Sequence, residues 1–291
     1  MRQSYFAQPD HGAAWVTGAS SGIGEQLALR LADAGYTVFA TARGEDKLAA
    51  LAAKAGSGLG KIIPKAADVT DAQAMTLIAD EIERDHGGVA LAIFNAGIYL
   101  PVEGDSLRLE DFHKSFDVNL NGVVNGLVPV IDMMKKAGRG QIAIVSSVTG
   151  YGGLPTSAAY GATKAALTNM AESLKFDLDK MNINIQVVHP GFVDTPATKN
   201  NPFPMPALMK VEDAVQRIMT GLKNPTFEIT FPKRFTYGLK FLGLLPYPLY
   251  FWLINNGTGW KKRPLGASSS SQSTDDQARD EPSVQGEGAR S

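Results

Sequence analysis

Thr17-Gly18-Ala19-Ser20-Ser21-Gly22-Ile23-Gly24 stands between two runs of different character. Before it, Ala13-Ala14-Trp15-Val16 is short and apolar, as a buried strand is. After it, Glu25 to Ala32 carries apolar residues at helical spacing. A strand, a glycine turn and a helix in that order make the context a dinucleotide phosphate needs. Gly18 permits the tight turn, Gly22 lets the backbone approach a pyrophosphate, and Gly24 allows close packing of helix on strand. The helix N-terminus offers free N–H groups and the positive end of its dipole. Ser20, Ser21 and Ile23 lie in the same turn and are candidate cofactor contacts.

A second stretch lies far downstream. The run Gln141 to Val145 reads as a buried strand, Ser146 and Ser147 follow it, and Tyr160 and Lys164 open a long helical pattern. Spaced i and i+4 on a helix, Tyr160 and Lys164 share a face. An ammonium beside a phenol favours the phenolate, so the spacing predicts a Tyr160 pKa below its reference near ~10. Such a shift suits proton transfer near neutral pH. Ser147, at a strand end, can direct a hydroxyl to the same reacting oxygen.

Together these motifs resemble the short-chain dehydrogenases/reductases in their compact single-domain form. Thr17–Gly24 matches the cofactor turn of that family, and Asn95-Ala96-Gly97 matches its motif after the fourth strand. Asn119, Ser147, Tyr160 and Lys164 match its four catalytic positions, and Pro190-Gly191 with Thr195 matches the motif after the sixth strand. The resemblance spans residues 13 to 232. It implies a Rossmann-like, doubly wound parallel sheet in the order 3-2-1-4-5-6-7, with helices on both faces. It also implies a role for each catalytic position. Tyr160 exchanges a proton with the substrate oxygen, Ser147 orients that oxygen, Lys164 stabilises the ionised tyrosine and reaches the nicotinamide ribose, and Asn119 holds a water in the proton relay.

Other cofactor contacts implied by the family are Asp68 and Val69 beside the adenine, Asn95, Ala96 and Gly97 near the ribose and nicotinamide, and Pro190, Gly191, Val193 and Thr195 in the region that closes over nicotinamide and substrate. Members that prefer NAD carry an acid at the end of the second strand, where it binds the ribose hydroxyls and repels a 2′-phosphate. Here Thr41 is followed by Ala42 and Arg43. With no carboxylate to reject the phosphate and a guanidinium to bind it, the expected preference is NADP(H) over NAD(H).

A chain of 291 residues suffices for one large α/β domain. Its net charge of −1 gives no electrostatic case for nucleic acid. With no cysteine, disulfides, thiolate metal sites and a cysteine nucleophile are excluded. His11, His86, His113 and His189 show no ligand spacing and are read as loop or helix surface.

Further along the chain, Met1 to Gly12 reads as a polar tail without signal-peptide features. Strands are expected over 35–41, 61–67, 89–94, 182–189 and 226–231. Helices are expected over 47–55, from an Asp71 N-cap, unbroken over 109–137, and over 211–222. In the long helix Asn121 competes with Asn119, which the motif register favours. Phe192, Phe203, Met205, Leu208 and Met209 suggest either an apolar substrate pocket or plain core contacts.

Residues 13–232 are thus read as the catalytic domain. Residues 233–263 are read as an apolar segment, dense in aromatics, uncharged from Phe241 to Trp260 and broken at Pro246 and Pro248. Two uses suggest themselves: packing over the domain or a subunit surface, which is preferred, or peripheral membrane contact through 235–260. Residues 264–291 are polar and read as disordered. The family implies a small-molecule carbonyl or alcohol substrate and a homodimer or homotetramer; the expected location is cytoplasmic, with peripheral membrane association as the alternative. Competing classes are a nucleotide-sensing protein on the same fold and a membrane-docked scaffold.

Overall fold

Seven parallel strands form one sheet: β1 (Ala13–Thr17), β2 (Thr37–Ala42), β3 (Lys61–Ala66), β4 (Val89–Phe94), β5 (Gly140–Val145), β6 (Ile183–Pro190) and β7 (Glu228–Phe231). The computed structural model describes residues 5–56, 58–199 and 205–265. Residues 1–4, Phe203 and nearly all of the 264–291 tail lie outside the described residues.

The strand order is β3-β2-β1-β4-β5-β6-β7, as the resemblance implies. The chain runs outward from β1 to β3, returns to place β4 beside β1, and then builds outward the other way. Every residue of β1, β4, β5 and β6 is buried, because helices cover both faces of the sheet. One face is covered by α1 (Gly22–Asp33), α2 (Glu45–Lys54) and, further along the chain, a helix over Val211–Leu222, through Leu27, Leu31, Leu48, Leu51, Val215 and Ile218. The other face is covered by α3 (Ala72–His86) and by helices over Gly122–Ala137 and Ala158–Leu178, which close around Trp15, Phe39, Phe94, Ile142 and Ile144. The Asp71 side chain caps α3 by accepting from the Ala74 amide at 3.0 Å.

The expected unbroken helix over 109–137 is not regular. α4 (Leu109–Phe116) passes into a wider π turn over Asp117–Asn121, and α5 (Gly122–Ala137) follows. The wide turn carries Asn119 inward, to zero exposure, whereas Asn121 stays exposed and donates to Asp117 Oδ1 at 3.0 Å. Beyond it come α6 (Ala158–Leu178) and α7 (Val211–Leu222).

Two other expectations need correction. The segment from Tyr5 to Gly12 does not trail away: Ala7 is buried and its amide donates to Gln141 Oε1 at 2.9 Å, while the Tyr5 hydroxyl meets His11 Nδ1 at 2.8 Å. His189 is not at the surface. It is 1 % exposed in β6, with Nε2 3.0 Å from Thr168 Oγ1 and Nδ1 3.1 Å from Glu228 Oε1.

The C-terminal segment folds as α8 (Lys233–Leu242) and α9 (Tyr247–Thr258). Pro246 and Pro248 start α9 rather than fragment it, since proline in a first turn sacrifices no helical hydrogen bond. α9 rests on the domain through Tyr250 and Ile254; the Tyr250 hydroxyl donates to the Gly153 carbonyl at 2.6 Å.

Candidate active site

The carboxyl ends of β1, β4, β5 and β6 open into a cleft of about 1210 Å3, at the point where the connections diverge to opposite sides. Its β1 side is the glycine turn. Gly18 has φ +67, a left-handed conformation that favours glycine, and a Cβ there would lie 2.7 Å from Ala96 Cα. Gly24 approaches the Gly18 carbonyl so closely that no side chain fits. The turn is pinned from β4: Asn95 Nδ2 donates to the Thr17 carbonyl at 3.1 Å and the Gly18 carbonyl at 3.3 Å. Thr17 Oγ1 in turn accepts from the Asn95 and Ala96 amides, both at 3.1 Å. Ser21 precedes α1 without a side-chain cap, so the amides of the first turn face the cleft uncompensated.

Ser147, Tyr160 and Lys164 converge on the same cleft from β5 and α6. Ser147 Oγ accepts from the Thr149 amide at 3.2 Å. Lys164 is buried; its Nζ lies 5.5 Å from the centre of the Tyr160 ring and donates to the Val145 carbonyl at 2.8 Å. Asn119 meets α6 next to Lys164, with Nδ2 3.3 Å from Thr163 Oγ1. Gly97 leaves room between them: a Cβ there would sit 3.3 Å from Asn119 Oδ1 and 3.5 Å from Lys164 Nζ.

The electrostatics depart from the expectation drawn from spacing. Burial pushes the Tyr160 phenol up to about 12, against a hydrogen bond with Ser147 that lowers it. Burial also brings the Lys164 ammonium down to about 8. Desolvation disfavours the charged form of each group and is the largest cause of both shifts.

The remaining candidates line one surface. Ser20, Ser21, Gly22, Ile23, Ala42, Arg43, Asp68, Val69, Ala96, Pro190, Gly191, Val193 and Thr195 all face the cleft. Asp68 Oδ1 accepts from the Thr70 amide at 3.0 Å, and the Val69 carbonyl is held by Asn125 Nδ2 at 2.9 Å. Arg43 is exposed at the end of β2, with Glu45, Asp46 and Lys47 from the start of α2 beside it.

The expected apolar pocket is built differently. None of Phe192, Met205, Leu208 and Met209 is in the described lining; Ile98, Tyr99, Leu100 and Val145 are there instead. Tyr99 stands edge-on to Tyr160 with ring centres 5.2 Å apart, and its hydroxyl meets Thr156 Oγ1 at 2.6 Å. Sequence reasoning missed Tyr99 and Asn125, and it placed Thr17 in the glycine turn without its pinning role. Tyr99 follows Asn95-Ala96-Gly97 closely enough for that motif to have flagged it.

A family model described as short chain dehydrogenase matches residues 12–203. The chain belongs to the short-chain dehydrogenases. An uncharacterized oxidoreductase of Myxococcus xanthus is 36 % identical over 245 residues, covering 84 % of this chain and 97 % of that one. A 3-oxoacyl-(acyl-carrier-protein) reductase of Thermotoga maritima is 34 % identical over 187 residues, covering 64 % of this chain and 76 % of its own. Among solved structures, a short chain dehydrogenase from Burkholderia cenocepacia in complex with NADP superposes with a TM-score of 0.73 at 25 % identity, covering 85 % of this chain and 99 % of that one. Short-chain dehydrogenases are oxidoreductases that act on alcohol and carbonyl groups and bind NAD(P) in a Rossmann-like domain.

Proposed function

We propose that this short-chain dehydrogenase interconverts a carbonyl and a secondary alcohol on a small, largely apolar molecule, with NADP(H) as the preferred cofactor. The observation that carries the reading is the convergence of Ser147, Tyr160 and Lys164 on the cleft bounded by the glycine turn. The residues fit a dinucleotide. The space at Gly18 and Gly24 admits no Cβ, and the uncapped N-terminus of α1 presents amides suited to a pyrophosphate. Gly18, Ser20, Ser21, Gly22, Ile23 and Gly24 would hold the phosphates, Asp68 and Val69 the adenine end, and Asn95, Ala96, Gly97, Pro190, Gly191, Val193 and Thr195 the other end. When bound, the reduced nicotinamide supplies the hydride delivered to the carbonyl carbon.

Tyr160 donates its proton to the substrate oxygen as negative charge develops there. A phenol raised to about 12 is protonated throughout the neutral range and ready to donate. Ser147 holds the oxygen beside the phenol and shares the developing charge. Lys164 keeps a positive charge near the ring and stabilises the phenolate after transfer. Asn119 is a positioning residue that ties the wide turn to the Ile98 backbone next to Lys164. Ile98, Tyr99 and Leu100 give the substrate side of the cleft its apolar character.

The cofactor preference rests on β2. Ala42 offers no carboxylate to a ribose, and Arg43 stands at the cleft edge with no ion pair among the described residues. A guanidinium there suits a 2′-phosphate, and Lys47 adds a second cation; Glu45 and Asp46 oppose them from α2. Turnover of a panel of ketones and aldehydes with NADPH and with NADH tests the proposal. Reduction of at least one, faster with NADPH, is expected. Binding of both nucleotides with no turnover of any member would contradict it.

A further inference from the structure

α8 and α9 turn a large aromatic surface outward. Phe241 is 61 %, Leu244 80 %, Tyr247 76 % and Trp252 61 % exposed. On α9, Tyr250 and Ile254 are buried while Tyr247, Phe251 and Trp252 are exposed, the first two stacked with centres 5.9 Å apart. On α8, Arg234, Tyr237 and Phe241 fall on one exposed face at helical spacing. An exposed apolar surface of this extent marks a place of interaction.

The charges around it identify the partner. From Ile229 to Leu265 there is no Asp or Glu, while Lys233, Arg234, Lys240, Lys261, Lys262 and Arg263 flank the aromatics on both sides. Lys240 is paired with Glu228 and Arg263 with Glu103. Lys233, Arg234, Lys261 and Lys262 are exposed and carry no ion pair among the described residues. A second copy of the chain is a poor occupant: a twofold contact sets the same patch against itself, cation against cation, with no carboxylate in the patch to answer. An anionic lipid surface answers both features at once. Aromatic rings seat at the headgroup level, and lysine and arginine pair with the headgroups. No helix of the described residues is long and apolar enough to cross a bilayer, so the contact lies in the interface.

We propose that α8 and α9 dock this enzyme on the surface of an anionic lipid bilayer. The docking helices bear on the segment that joins Ser147 to Tyr160. The Gly243 position faces the Tyr151 carbonyl, and Tyr250 bonds the Gly153 carbonyl. The cleft is thereby set close to the proposed contact.

The test is co-sedimentation of the full chain with vesicles of phosphatidylcholine containing about one third phosphatidylglycerol, against vesicles of phosphatidylcholine alone. Binding to the anionic vesicles is expected to be about tenfold the stronger at low salt, and to fall as salt screens the cations. Phe241→Ser with Phe251→Ser and Trp252→Ser should abolish sedimentation while NADPH binding persists, since all three side chains are exposed. Lys261→Ser with Lys262→Ser should weaken it about tenfold or more. A wild-type chain that stays in the supernatant with anionic vesicles overturns the proposal. So does a triple variant that sediments as well as wild type. A wild-type oligomer that ignores vesicles and dissociates in the triple variant assigns the surface to a subunit contact and equally overturns it.

Discussion

Asn119 is bonded in both directions to the backbone of Ile98: Oδ1 accepts from the Ile98 amide at 2.7 Å, and Nδ2 donates to the Ile98 carbonyl at 2.9 Å. A carboxamide matches a peptide unit donor to acceptor, so one side chain satisfies a backbone group pair that no strand continues. The clamp joins the helical layer to the strand-end segment that begins at Asn95. It also stands next to Lys164, across the Gly97 gap.

Asn119→Ala leaves the half-buried Ile98 amide and carbonyl without this partner. A loss of about 1–3 kcal/mol in unfolding free energy is expected, read by denaturant titration. Asn119→Asp restores the acceptor alone, and its carboxylate is repelled by the Ile98 carbonyl. It should be destabilised as well, with turnover falling further than cofactor affinity. A variant as stable as wild type would show that the clamp is dispensable.

The Lys164 ammonium carries a pH-dependent cost. Its folded pKa of about 8 lies below the ordinary value of 10.5. Below about pH 8 both folded and unfolded chains keep the proton, and the full cost of burying charge is present. Between the two values the unfolded chain holds more protons, so stability rises with pH. The Tyr160 phenol, raised to about 12, opposes this only above pH 10, where the folded chain holds the extra proton. Measured against Lys164→Met, wild type should gain about 1–2 kcal/mol between about pH 7.5 and 9.5. A flat difference across that range would contradict the burial of a charged lysine.

Ala42→Asp with Arg43→Ala should reverse the cofactor order. The change adds repulsion to a 2′-phosphate and an acceptor for ribose hydroxyls, and deletes the attractive cation. The ratio of kcat/KM for NADPH to that for NADH is expected to fall by about a hundredfold or more. An unmoved ratio would mean that Arg43 serves solvent only, and that Lys47 or the glycine turn sets the preference.

Much of this molecule was legible where a local pattern meets a single physical demand. β4 runs over Val89–Phe94 as read, because a strand covered on both faces is apolar throughout. α7 runs over Val211–Leu222 as read, because its apolar stripe alone seats it. The wide turn at Asn119 was not legible, because a shift in hydrogen-bond register leaves no mark on residue spacing. Ala7 and His189 were misplaced for another reason. Their partners, Gln141 and Glu228, are distant in sequence and meet them only across the assembled sheet. Tyr160 shows the limit most clearly. Spacing predicted a lowered pKa from Lys164, but spacing carries no information on burial, and burial has the larger effect.

The central claim is that Tyr160 moves the proton, and the most direct measurement is turnover by Tyr160→Phe with NADPH and a carbonyl that wild type reduces. The ring remains, so its packing against Tyr99 and its place over Lys164 persist. The expected result is a fall in kcat on the order of a thousandfold or more, with the dissociation constant for NADPH changed by no more than about threefold. Turnover within about tenfold of wild type, at unchanged NADPH affinity, would contradict the claim and leave the proton to another group in the cleft.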